Sequence, residues 1–442
     1  MTSPLTYFSS FRLSDAPDRV RHQASRCLLD LVGVAVGASG MRMPGIVRDH
    51  AAAVMPGPAP LVFDGRGVSP LGQALALGMT IDALDGHDGC NPTKGHVGCG
   101  LLAGLIALWP EVPRPTPDAF LEAVILGYEA GTRLGTTLHA TAPDYHTSGA
   151  WIAPTVALVG SRLLGLDPTA TAHAVGIAEY HGPRSQMMRV IDHPTMLKDG
   201  SGWGAMAGVS AVLLARAGIT GAPALTLEGP EWQDLGHRWC ILDQYFKPYP
   251  VCRWAQPPVE AALALRRSHS LRSTDITAIQ IESFHEATRP ATSEPRTSDE
   301  AQYSTSFPTA IALVRGHLHP GDLADDALDD PEVLRLSRIT SFVEDDAANE
   351  AFPGRRIARV TLTLSDGKRL QSDWKATRWD AEEPPTDDEL EAKFRDLVFP
   401  VLGPRMVDLK SAIDTLSVEG PAPLIAVLAH ANQTPVAVGR SA

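Results

Sequence analysis

The stretch DALDGHDGCNPTKGHVG, Asp82 to Gly98, sets acids, imidazoles, a lysine and glycines in one irregular segment between two apolar runs. Asp85, His87, Asp88 and His96 offer imidazoles that titrate near neutrality and carboxylates that can orient them, a set suited to proton transfer. The rival chemistry is a metal held by His87, Asp88, Cys90 and His96. Their spacing matches no specific ligand motif. The plain structural alternative is that these groups cap helices and satisfy loop amides.

Two further loops have the same form. In DYHTSG, Asp144 to Gly149, His146 precedes a small-residue helix whose exposed amides would attract a carboxylate, although Thr147 and Ser148 read as simple caps. In HGPRSQMMRVIDHPTMLKDGSGWG the cations Arg184, Arg189 and Lys198 gather near a glycine-rich helix start, and a guanidinium there would take a carboxylate bidentately. Surface solvation is the default for Arg184 and Arg189, whereas Lys198 beside glycines favours a site. KPYPVCRWAQP adds Lys247, Tyr249, Cys252, Arg253 and Gln256 in a proline-bounded loop. Cys252 lacks an adjacent base and is read as structural.

These loops must be positioned by helices. Apolar residues Val20, Ala24, Cys27, Leu28, Leu31 and Ala35 recur at helical spacing between Pro17 and Ala38. Helices are also predicted at Leu71–Leu84, Gly98–Leu108, Asp118–Leu134, Ala153–Leu164, Pro168–Glu179, Trp203–Ala217 and Pro257–Arg267. The GCGLLA at Gly98 fits the dinucleotide fingerprint in form, but no strand precedes it to aim the turn at a pyrophosphate. Beyond residue 268 the pattern changes to β alternation at Ile276–Phe284 and Arg359–Trp374, the latter around an Asp366-Gly367 hairpin turn. A helix is predicted at Tyr303–Arg315, and a Thr386–Glu389 capping signature opens another.

The expected fold is therefore mainly α: a discontinuous all-helical domain, 1–268 completed by 400–442, plus a smaller α+β lid domain at 269–399. The 442 residues carry a formal net charge of −13, which argues against a nucleic-acid partner and against anionic membranes. An acidic ligand would need locally concentrated cations, as the Lys198 region offers. Five scattered cysteines without a CxxC pair, and an N-terminus lacking the regions of a signal peptide, point to a reducing cytoplasm.

Taken in order, CLLDLVGVAVGA at Cys27, DALDGHDGCNPTKGHVG, LGYEAGTRLG at Leu126, KDGSGWGAMAGVSAVLLARAGITGAP at Lys198, KPYPVCRW and DEAQYSTSFPTAIAL at Asp299 resemble the MmgE/PrpD family over nearly the whole chain. That family includes 2-methylcitrate dehydratases, cis-aconitate decarboxylases and iminodisuccinate epimerases. The resemblance implies a helical domain with an α+β lid, a homodimer, no metal and no organic cofactor. The implied chemistry is proton abstraction beside a carboxylate of a di- or tricarboxylic acid, followed by loss of water or carbon dioxide, or by reprotonation.

Carried over by motif, the resemblance makes Asp85, His96, His146 and Lys198 catalytic. Arg184, Arg189, Lys247, Tyr249, Arg253, Gln256 and Tyr303 are the expected substrate-binding set. Where itaconate-forming members have threonine after the paired acids, this chain has Gly89, and a lid tyrosine aligns with Phe307. The expected activity is elimination of water, with epimerisation, decarboxylation and non-catalytic binding of a small acid as alternatives.

Overall fold

The computed structural model describes residues 3–289 and 292–431. Asp18–Ala38 forms a helix that buries Val20, Ala24, Cys27, Leu28, Leu31 and Ala35, the residues whose period marked it. Four shorter helices, Pro70–Ala83, Gly98–Leu108, Gly149–Leu163 and Ser201–Arg216, are stacked behind it and buried over most of their surface. Their small residues permit that approach: a Cβ on Gly78 would stand 2.5 Å from the Cα of Gly202. The long Pro117–Thr141 helix buries Phe120, Val124 and Tyr128 in the same core.

That core runs to Phe246 and resumes with Leu390, Phe394 and Leu397. These last three lie on the Asp387–Leu402 helix, capped by Thr386 and Glu389 as the sequence signature indicates. The helix packs where Gly33 presents no side chain, a Cβ there falling 3.1 Å from Phe394 Cδ2. The packing of the C-terminal return thus starts with Asp387–Leu402, and residues 432–442, part of the expected return, lie outside the described residues.

A second core joins Val259 and Leu263 of the Gln256–His269 helix to Phe307 and Ile311 and to a five-stranded sheet. The sheet order is Thr340–Glu344, Ile276–Ser283, Ile357–Leu364, Arg369–Gln371, with Lys375–Ala376 also pairing Ile357–Leu364. Ile281 stands opposite Val360, so the inward residues of both strands meet. The turn after Ile357–Leu364 places Gly367 at φ +85°, the conformation an Asp-Gly pair accepts. Thr340–Glu344, parallel to Ile276–Ser283, carries too little alternation to be seen in the sequence. The helix predicted at Tyr303–Arg315 begins at Ser306 and runs to Arg315, and a separate short helix that was not predicted, Ser298–Gln302, precedes it.

A third apolar cluster joins the two parts: Met187, Val190 and Ile191 meet Trp254, Phe284 and Tyr303. Polar loops from both sides converge beside it. Among the described residues no single helix is long and apolar enough to cross a membrane, although the bent pair Asp18–Ala38 and Arg42–Val54 passes on length and composition alone.

Candidate active site

The loop after Pro70–Ala83 is held from the α+β part of the chain by Gln302. Its Oε1 accepts the Asp85 N–H at 2.8 Å and the Lys198 ammonium at 3.1 Å, while its Nε2 donates to the Ala83 carbonyl at 3.1 Å and to Ser298 Oγ at 2.8 Å. The Asp85 carboxylate pairs with Lys247, and both are buried. Burial alone would raise the Asp85 carboxyl, but Lys247, His96 and His87 together hold it well below the usual carboxylate range. Burial would likewise lower Lys247, and Asp85 outweighs it and keeps the ammonium charged.

His96 Nδ1 lies 2.5 Å from the Asp88 carbonyl. A carbonyl only accepts, so Nδ1 carries the proton and Nε2 is left with a free lone pair. That Nε2 stands 3.8 Å from Asp199 Oδ2. Burial, with His87 and Lys247 adding like charge, pushes the imidazole down to about 3, so it is neutral at physiological pH. His87 sits edge-on to it, with ring centroids 4.4 Å apart, and is also held down to about 3, chiefly by burial and then by Lys247. Asp88 lies behind the pair: its carboxylate takes the Tyr128 hydroxyl, and burial, then Asp30, raises it to about 7.

Asp199 closes the cluster. Ser148 Oγ donates to its Oδ2 at 2.8 Å and accepts the His96 N–H at 3.0 Å; the Tyr303 hydroxyl reaches Oδ1 at 3.5 Å. Burial raises the Asp199 carboxyl and His96 opposes the rise. Lys198 precedes it in a left-handed conformation, φ +49°, at the turn into Ser201–Arg216. Its ammonium is 3.0 Å from Asp299 and 5.2 Å from the Tyr303 ring centre. The structure therefore brings Asp85, His96, Lys198, Lys247 and Tyr303 into one buried network of ion pairs and hydrogen bonds.

The other expected residues lie apart from it. His146 bonds through Nδ1 to the Asp144 carbonyl at 2.8 Å, which leaves its Nε2 free. It is linked to the cluster through His139 and Trp151, whose Nε1 donates to the His96 carbonyl. Arg184 is exposed. Arg189 is exposed on the rim of a cleft of about 600 Å³ that Thr147, Lys198, Gly200 and Trp203 also line. Tyr249 turns away to Glu260, 2.9 Å, on a different cleft. Arg253 pairs with Asp380 at 3.0 Å under the Tyr245 ring, and Gln256 donates to the carbonyls of Tyr249 and Val251. These last two tie down the proline-bounded loop.

The metal quartet read from sequence is not the set that converges. Among the described residues Asp82, His87 and Cys99 bring ligand atoms within 4.8 Å of one another. This trio is already engaged, since Asp82 Oδ2 takes the Ser201 N–H and Cys99 Sγ donates to Ser201 Oγ. Burial also raises the Cys99 thiol well above its ordinary range.

Sequence reasoning missed Asp199, Ser148, Tyr245 and Gln302. Asp199 and Ser148 lie within KDGSGWG and DYHTSG, next to Lys198 and at a helix start, where an acid or a hydroxyl is equally expected as a cap. Tyr245 is the cross-strand partner of Gly89 in a two-residue ladder, and its ring centre lies 6.4 Å from that of His96. A Cβ at position 89 would stand 2.5 Å from Tyr245 Oη and 2.7 Å from His96 Nδ1. Glycine at 89 is thus what lets the tyrosine lie against the histidine.

The profile of the MmgE/PrpD N-terminal domain matches residues 5–235, and that of the MmgE/PrpD C-terminal domain matches residues 249–416. The chain is 24% identical to a cis-aconitate decarboxylase-like protein, oryM, of Aspergillus oryzae, with 90% of each chain aligned. It is 23% identical to a cis-aconitate decarboxylase of Aspergillus terreus, with 84% of each chain aligned.

Proposed function

The chain belongs to the MmgE/PrpD family, and from that premise we propose that it is a lyase acting on a di- or tricarboxylic acid by removing a proton next to a carboxylate. The observation that carries this reading is His96: a neutral imidazole with Nδ1–H fixed on a carbonyl and Nε2 free beside a buried acid. Such a group is a base with a set tautomer. The imidazolium it becomes faces Asp199, which compensates the new charge. Lys198 and Lys247 supply ammonium groups for substrate carboxylates and for charge developing on the enolate, with Asp85 holding Lys247 in place. His146, with its own free Nε2, is the second proton carrier.

In this reading the carbanion expels hydroxide, giving a 2-methylcitrate dehydratase-like elimination of water. Decarboxylation is the second reading, favoured by the activities named for the two Aspergillus relatives. Against it stands Gly89, where threonine is expected in itaconate-forming members.

The test is proton NMR in D₂O with citrate, 2-methylcitrate, the aconitate isomers and iminodisuccinate. Exchange with a new alkene signal is expected for wild type, and His96→Ala is expected to lose about 100-fold or more of that rate while folding normally. Exchange with inversion alone would make the enzyme an epimerase. Exchange at the wild-type rate in His96→Ala would remove the base, and binding without exchange would make the protein a small-acid binder.

A further inference from the structure

Five lysine or arginine side chains among the described residues are less than 5% exposed: Arg133, Lys198, Lys247, Arg253 and Arg356. Four of them pair with a carboxylate: Arg133 with Glu129 and Asp234, Lys198 with Asp299, Lys247 with Asp85, and Arg253 with Asp380. Arg356, at 2% exposure, pairs with none of the described carboxylates. Its Nη1 donates to Asn91 Oδ1 and to the Pro353 carbonyl, its guanidinium lies 5.5 Å over the Phe352 ring centre, and its Nε–H has no partner. A buried charge without a counter-ion is strongly unfavourable, so an anion is the partner it lacks. Asp380 is near enough to feel Arg356, but its oxygens are engaged by Arg253, by the Asn91 amide and by the Ala381 N–H.

The position of Arg356 says which anion. Asn91 stands on the loop that carries Asp85 and His96. The same loop carries Lys94, whose carbonyl takes the Tyr145 hydroxyl and whose ammonium lies 4.4 Å over that ring. Burial raises the Tyr145 and Tyr245 hydroxyls, and Arg356 is among the charges opposing the rise, so it acts on both rings. Tyr245 in turn abuts His96. Through Asn91, Arg356 therefore reaches the loop that carries Asp85 and His96.

We infer that Arg356 receives a second carboxylate of the substrate, the one remote from the carbon that loses its proton. A planar guanidinium fork fits a carboxylate bidentately and fixes its orientation, which a lysine does not. This assignment rests on the reading of the site as a proton-abstracting centre for polycarboxylic acids, and it narrows the substrate to acids whose second carboxylate spans from His96 to Arg356.

Calorimetric titration with propane-1,2,3-tricarboxylate and with its two monoamides tests it. Wild type is expected to bind the triacid better than at least one monoamide by about 10- to 100-fold, the value of a charged hydrogen-bond pair. Arg356→Gln is expected to abolish that preference by weakening only the triacid. Arg356→Lys, which keeps the charge and protects against a failure to fold, is expected to fall between. Equal weakening of triacid and monoamides, unchanged affinities in both variants, or no triacid binding to wild type each overturns the assignment. Proton exchange in wild type with discrimination unchanged in the variants sinks the Arg356 assignment alone. Discrimination lost as expected, with no exchange in wild type, sinks the chemistry and leaves the anion site.

Discussion

At the scale of single residues the buried site is a set of titratable groups displaced in opposite directions. Asp88 is raised from 3.8 to about 7 by burial and by Asp30. Its contribution to stability is full below pH ~4 and is lost as pH rises through about 7, because the folded state keeps a proton that the unfolded chain has released. His87 and His96, lowered from 6.5 to about 3, act oppositely: they cost stability as pH falls from 6.5 toward 3. Asp88→Asn mimics the neutral acid. The difference in Tm, wild type minus variant, is therefore expected to decrease between pH 4 and pH 8, read by calorimetric scans. The histidine effect is common to both proteins and cancels, so a flat difference would show that Asp88 is ionised throughout. The types of Asp85, His96 and Lys198 and their concentration in short loops were legible from the sequence. Their pairing was not: Lys247 lies 162 positions from Asp85, and Gln302 lies 104 from Lys198. Only tertiary packing brings such distant residues together.

Elements with a long apolar period were readable in advance, and short or punctuated ones were not. Asp18–Ala38 declared itself by spacing. Arg42–Val54 was hidden by Pro44 and Gly45, which sit in its first turn, where proline is tolerated. The Gly89–Cys90 and Gln244–Tyr245 ladder is two residues long, below what alternation can reveal, yet it sets Tyr245 against His96. This makes the ladder a sharp test of packing. Gly89→Ala puts a methyl 2.5 Å from Tyr245 Oη and is expected to destabilise the protein by about 1–3 kcal/mol, the usual range for overpacking. Tyr245→Ala in the same chain should remove more than half of that penalty, because the two residues share one contact. Urea denaturation of both single variants and the double variant measures the coupling. Strict additivity would mean that the ladder yields by moving its backbone and that Gly89 is not needed to seat Tyr245.

For the whole molecule, the mainly helical architecture and the α+β character of the smaller part followed from where the apolar period changes. The Ser201–Arg216 helix carries apolar residues on both its buried and its outer side. Gly202, Ala205, Val209 and Val212 face the core, while Trp203 and Leu214 are 48% and 41% exposed on the outer side. Leu197, 66% exposed, lines the same cleft as Trp203, and Tyr180, 79% exposed, adjoins His181 on its rim. Large exposed apolar side chains at a cleft, as Leu197 and Trp203 are, suit an interface, and a two-fold axis through one helix face would cover them with their own counterparts. A homodimer is the expected assembly. Light scattering coupled to size exclusion should give twice the 47.2 kDa chain mass at micromolar concentration, and Trp203→Glu with Leu214→Glu should return the single-chain mass without unfolding. A wild-type protein at the single-chain mass would refute the dimer. Because Lys198 and Thr147 border the same cleft, activity of the monomeric variant has its own meaning. Retained turnover separates assembly from catalysis, and lost turnover with intact folding shows that the second copy holds the Lys198 turn in its working conformation.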